Sequence, residues 1–234
     1  HTPVVPLSDA LSGFLSLQDN AKYEALVPYY IAEIYLIKKN YDKAEIVAQN
    51  YLSAYPNQKY TREMYRIEGT VDYHFGKYHE AIKAFGSYLK DNAEPAPRRD
   101  ALYMLGMSYY RTGVYSQVPV TLGEVTANKD ALTQNAYLHM GLAYLQLADK
   151  NKARMAFEQA AASDADLKIK EQASYNNALC IHETSYSAFG ESVTVFENFL
   201  NEFPNSAYAD KVSSYLVEVY MNTRSYDAAL KSIE

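Results

Sequence analysis

Apolar positions fall at helical spacing in short stretches that recur along the whole chain. The last ten residues, SYDAALKSIE, place Ala228, Ala229, Leu230 and Ile233 between Asp227, Lys231 and Glu234, the apolar stripe of an amphipathic helix. The same opening, Tyr, two residues, then a small residue, occurs as YDKA from Tyr41, YHEA from Tyr78, YSQV from Tyr115 and YDAA from Tyr226. Marking the helix-opening residue throughout gives Ala10, Ala44, Ala81, Val118, Ala153, Ser192 and Ala229, at steps of 34, 37, 37, 35, 39 and 37 residues. A soft period of this length is the mark of a repeat array.

Each unit reads as two helices. Four residues after the marker, on the same helical face, stand Phe14, Phe85, Phe157 and Phe196, with Ala48, Leu122 and Ile233 in the other registers. Twelve residues before it stand Ala32, Gly69, Gly106 and Gly141, followed three residues on by Tyr35, Tyr109 and Tyr144; the second unit has Asp72 there, with Tyr73 next door. Small residues at matched places let two helices approach closely, and the ring beside them fills the wedge. The unit is therefore an antiparallel helical hairpin. In the fifth unit Ala178 and Ser192 are fourteen apart, so its turn carries two extra residues.

This order of residues resembles the tetratricopeptide repeat family. YMLGMSYYRTGVYSQ and YLHMGLAYLQLADKNKARMAFEQA carry its first-helix and second-helix pattern, and Pro56 and Pro204 match its closing proline. The resemblance implies an all-α fold, a right-handed superhelical solenoid of such hairpins. The repeats then run 23–59, 60–97, 98–131, 132–168 and 169–206, flanked by the second helix of a partial repeat in 1–22 and a truncated repeat in 207–234. Mid-way along the second helix, where the family prefers a small residue, stand Tyr51, Tyr88, Val125 and Phe199, with only Ala160 conforming. The stretch NAEPAPRRD, 92–100, reads as a link held extended by its prolines, either a hinge or an ordinary inter-repeat turn; the unchanged step across it favours the turn. Both ends read as cut edges of a longer array, because a hairpin interrupted in mid-helix provides no polar cap.

Composition narrows the function. The net charge of −6 and the mixing of acids with bases leave no basic block to neutralise phosphates, so nucleic acid is not the expected partner. No apolar run approaches the ~20 residues of a membrane-spanning helix. One cysteine, Cys180, permits no internal disulfide. The 24 tyrosines against no tryptophan suit half-buried helix seams and partner-holding surfaces alike. GTVDYHFGK has the wrong glycine spacing for a phosphate loop, and neither His74 with His79 nor Cys180, His182 and Glu183 makes a metal set, so no catalytic residue, metal or cofactor is expected.

What remains is a surface. The resemblance places on the concave, first-helix face Tyr29, Glu33 and Leu36; Arg66, Thr70 and Tyr73; Tyr103, Met107, Tyr110 and Arg111; Leu138, Leu142 and Leu145; and Tyr175, Leu179 and His182. These residue types are those of protein interfaces, and the carboxylate-clamping lysines of some family members are missing. The expectation is a non-enzymatic scaffold that takes a peptide or protein partner. Alternatives are a glycan- or small-molecule-binding outer-membrane lipoprotein, or a regulatory repeat region of a multidomain protein. The Tyr-Pro-Asn and Phe-Pro-Asn closures resemble the bacterial cell-envelope branch of the family, the outer-membrane assembly lipoproteins, Tol-Pal-associated proteins and long Bacteroides-type arrays, which implies a periplasmic or outer-membrane-associated location.

Overall fold

The computed structural model describes residues 6–20, 23, 26–90, 94–185 and 190–233, with the side chains of 225–230 and 232–233 left aside. Among the described residues there are helices and turns and no strand. Contacts divide the chain into two compact units, 1–114 and 115–234. The division falls between the two helices that the repeat register pairs in 98–131.

The N-terminal unit holds α1 (Leu7–Ser16), α2 (Leu26–Ile37), α3 (Tyr41–Ala54), α4 (Thr61–His74), α5 (Tyr78–Tyr88) and α6 (Pro95–Thr112). Each helix packs against the next in sequence, and the first helices α2, α4 and α6 also lie side by side. The predicted marker residues Ala32, Ala44, Ala48, Ala81 and Phe85 are all fully buried. Their sizes are complementary. Where the second helix offers the Phe85 ring, the first offers Gly69, and a Cβ built there would meet that ring at 2.9 Å. Where the first helix has Ala32, the second has Ala48.

The C-terminal unit holds α7 (Gln117–Leu122), which tightens into a 3₁₀ turn over Gly123–Val125, then α8 (Ala131–Gln146), α9 (Lys150–Ala161), α10 (Leu167–Thr184), α11 (Gly190–Glu202) and α12 (Ala209–Ile233). α7 is short because Val118, Val120 and Thr121 are stiff at χ1 and Gly123 follows. Gly141 repeats the contact of the first unit more tightly, with a Cβ there falling 2.5 Å from Phe157. Asp130, Asp149 and Asp166 cap α8, α9 and α10 by accepting backbone N–H groups of Thr133, Lys152, and Lys168 with Ile169. Gln134, 1% exposed, ties α8 to the α9–α10 link: its amide nitrogen donates to the carbonyls of Ala160, Ser163 and Asp166, and its oxygen accepts from the Asp166 N–H at 2.9 Å.

One turn ends the four first helices α2, α4, α6 and α8. Lys39, Gly76, Gly113 and Ala148 stand at positive φ (57°, 74°, 78° and 57°), each five residues ahead of the marker. At each, the following N–H reaches back to the carbonyl of Tyr35, Asp72, Tyr109 or Tyr144, at 2.8, 2.8, 2.9 and 2.9 Å, and the left-handed residue itself donates three residues back. This is the Schellman arrangement, which satisfies the last carbonyls of the first helix. The aromatic register position is thus also the anchor of the turn. In the fifth repeat the chain passes from Thr184 to Gly190, two residues more than from Ile37 to Tyr41; residues 186–189 of that turn lie outside the described residues.

Two expectations are corrected. Pro95 and Pro97 do not hold an extended link but start α6, with Glu94 at its N-cap, because a helix's first turn has no use for the N–H that proline lacks. No separate helix opens at Ala229: α12 is continuous through Ile233. The place that Lys39 or Gly76 takes elsewhere is here Arg224, and the helix runs straight through it.

The glycines yield an opposed pair of expectations. Gly141→Ala forces a methyl into the buried Phe157 ring and is expected to lower stability by about 1–2 kcal/mol, overpacking outweighing the gain in helix propensity. Gly86→Ala, which meets nothing within 4 Å, should raise it by about 0.5–1 kcal/mol. Urea unfolding of the two variants checks both; equal effects would contradict the close-contact account.

Candidate functional site

The first-helix face of the N-terminal unit carries two clusters. In the first, the Arg66 guanidinium of α4 is ion-paired with Glu33 of α2 and, at 3.0 Å, with Glu63 one turn back on its own helix. All three side chains are largely buried, and the two carboxylates keep Arg66 protonated against its burial. Tyr29 stacks on Tyr60 with ring centroids 4.8 Å apart, and burial, then the neighbouring Glu33, pushes its hydroxyl up to about 12. Arg66 therefore serves as a strut between α2 and α4.

The second cluster joins α4, α5 and α6. Tyr73 meets Tyr78 edge-on at 5.8 Å, and the exposed Arg111 lies over the Tyr78 ring with its guanidinium carbon 5.6 Å from the centroid. Burial, followed by the nearby Tyr103 and Tyr78, pushes the Tyr73 hydroxyl up to about 12, with Arg111 acting in the opposite sense. Arg111 pairs with no carboxylate among the described residues. Tyr110 is half-buried on the same helix, whereas Met107, at 7% exposed, belongs to the packed interior.

The C-terminal unit treats its predicted surface residues differently. Tyr175 is 7% exposed and stacks on Tyr208 at 4.1 Å and 9°. His182 Nδ1 is 2.9 Å from the Ser192 hydroxyl, and its ring lies between Phe196 and Tyr215. Leu142 and Leu179 are half-buried against their cores. All four pack helix seams. Sequence reasoning missed Glu63, Tyr60 and Tyr78; the i,i+3 spacing of Glu63 to Arg66 is the one signal that pointed to any of them.

The fully buried Cys180 has its thiol pushed up to about 11 by burial, which makes it a poor nucleophile. Among the described residues no group of three or more His, Cys, Asp or Glu is arranged to hold a metal ion, and no helix is long and apolar enough to cross a membrane.

Comparison with known proteins agrees with the architecture. Two tetratricopeptide repeat models match, over residues 68–116 and 135–166. Solved structures similar in fold include YrrB, described as a tetratricopeptide repeat protein with an unusual peptide-binding site, at 16% identity over 87% of this chain and 99% of that one, with a TM-score of 0.70. The C-terminal part of a repeat-containing protein from Cytophaga hutchinsonii matches at 18% identity over 97% and 89% of the two chains, TM-score 0.63. A tetratricopeptide repeat protein from Parabacteroides merdae matches at 16% identity over 95% and 79%, TM-score 0.57. No curated protein matches the sequence.

The strut is open to test. Arg66→Met strands Glu33 and Glu63 without a partner and should cost about 2 kcal/mol, while adding Glu33→Gln to it should return part of that loss. Thermal melts of the single and double variants measure this, and an Arg66→Met protein as stable as the parent would contradict the assignment.

Proposed function

We propose, from the premise that this chain carries tetratricopeptide repeats, that it is a non-enzymatic scaffold whose first-helix face in the N-terminal unit holds a segment of a partner protein. The observation that carries this reading is Arg111. Its guanidinium lies over the Tyr78 ring beside Tyr73, exposed and paired with no carboxylate among the described residues, while the neighbouring Arg66 is neutralised internally. Tyrosine and arginine so placed are the residue types that dominate binding energy at interfaces. A partner segment with an acidic residue beside apolar ones matches this chemistry, the acid pairing with Arg111 and the apolar groups lying on Tyr73 and Tyr103.

The peptide-binding site for which YrrB is described belongs to that protein; a shared fold makes a peptide ligand reasonable for this one. The Tyr-Pro-Asn and Phe-Pro-Asn hairpin closures support a place in the bacterial cell envelope, periplasmic or attached to the outer membrane.

Peptides selected on the whole chain from a displayed random library test the proposal. They should be enriched in acidic and apolar residues, and the double variant Tyr103→Ala with Arg111→Ala should lose at least tenfold in affinity, with Met155→Ala in the other unit as an unaffected control. Selected peptides that bind the double variant as tightly as the parent would rule this face out.

A further inference from the structure

The second hairpin departs from a pattern that α2/α3 and α8/α9 share. In α2/α3 the ammonium of Lys43 sits 5.7 Å from the centre of the Tyr35 ring, and in α8/α9 that of Lys152 sits 5.9 Å from Tyr144. Lysine and tyrosine occupy the same two register positions in both. In α4/α5 those positions are Glu80 and Asp72. A hairpin that would hold a cation on a ring presents two acids instead.

Both acids line a cleft. Beside Asp72, between α3, α4 and α5, lies a cavity of about 710 Å³ whose walls include Leu52, Tyr65 and Ala84 as well as acids. Asp72 is only 5% exposed, lines this cavity, and its carboxylate accepts no hydrogen bond and makes no ion pair among the described residues. An unpartnered buried carboxylate is costly, and native structures retain one rarely without a reason. The charged groups around it are Glu45 from α3, Glu68 from α4, Lys77 from the turn, and Glu80 with Lys83 from α5. Lys77 is already taken by Glu45 at 3.2 Å. Acids outnumber bases, and they are not gathered as a metal site is. The cleft lies on a different stripe of α4 from Arg66 and Tyr73.

We infer that this cleft binds an alkylammonium group, a lysine side chain of a partner protein or a free polyamine, with the cation on Asp72 and the methylenes along Leu52, Tyr65 and Ala84. The inference stands independently of the Arg111 face. Burial, then Glu68 and Glu45, push the Asp72 carboxyl up to about 7, and Glu68 is raised for the same reasons, as expected of a site short of one cation. The sign of the pH dependence follows. A carboxyl raised in the folded state favours folding most below the ordinary carboxylate range, roughly pH 4, and that contribution is lost as pH rises through about 7. An ammonium ligand binds the ionised form, so affinity should climb from pH 6 to pH 8 with release of a proton.

Isothermal titration of the whole chain at low salt, with spermidine in one arm and an unstructured acetylated peptide carrying two lysines in the other, tests the site. At least one probe should bind saturably at pH 8, more weakly at pH 6, with a heat that depends on the ionisation enthalpy of the buffer. Asp72→Asn should weaken binding at least tenfold and abolish that buffer dependence, whereas Glu191→Gln in the other unit should change neither. Spermidine binding more tightly assigns the site to a free polyamine, and the peptide binding more tightly assigns it to a partner's lysine. Should Asp72→Asn lose its helical circular dichroism, Glu68→Gln carries the same expectation of weaker binding. Saturable binding of neither probe up to millimolar concentration, or equal affinity in parent and Asp72→Asn, would overturn the inference.

Discussion

The contact on which the rest depends is a small residue of one helix set against the ring of its hairpin partner. Gly69 under Phe85 and Gly141 under Phe157 leave no room for a Cβ, and Ala32 with Ala48 meets the same need with two methyl groups. Interiors packed at this density transmit the size of one residue to the spacing of two helices. That spacing sets where the next first helix lies, and hence which side chains of α2, α4 and α6 share a face. The turn enforces the same geometry from the other end. A left-handed residue at Lys39, Gly76, Gly113 and Ala148 directs the chain back, and in two of these the strain is borne by a residue that is not glycine.

From this frame the two faces of α4 acquire different chemistry. One bears Arg66 and Tyr73, neutralised or stacked with neighbours; the other bears Asp72 and Glu68, acids with too few cations around them. Both follow from which residues the register positions admit. A tyrosine at position 72 would anchor the turn through its backbone as Asp72 does, since the hydrogen bond to the Lys77 N–H uses only the carbonyl. The backbone device therefore leaves the side chain available, and in this hairpin alone of the four a carboxylate takes the ring's place.

Much of the hairpin was legible in the sequence because its rules are local. Markers such as Ala44, Ala81, Phe85 and Phe157 stand at fixed offsets, and fixed offsets on a helix mean a shared face. The turns were not legible in the same way, since nothing in Lys39 or Ala148 signals positive φ. The proline-rich stretch misled because Pro95 and Pro97 are compatible both with an extended link and with a first helical turn, and the order of the next repeat decided between them. Less of the surface was legible. Arg66 reaches Glu33 across 33 positions and Gln134 reaches Asp166 across 32, so neither partnership leaves a local trace. Tyr175 reads like a groove tyrosine, yet the ring of Tyr208, from the turn before α12, covers it. Whether a first-helix residue lines a surface or a seam depends on how closely its neighbour approaches, which is a property of the packed pair.

The central claim, that four first helices end in one turn and that the hairpins α2/α3, α4/α5 and α8/α9 fold around one kind of contact, is tested most directly by native-state amide hydrogen exchange read residue by residue. The amides of Asn40, Lys77, Val114 and Asp149 lie beyond the ends of their helices, where loop amides exchange freely, but each donates back into its helix. They should be protected to the level of the helices they close. Exchange at these four amides as fast as at exposed loop positions would contradict the account.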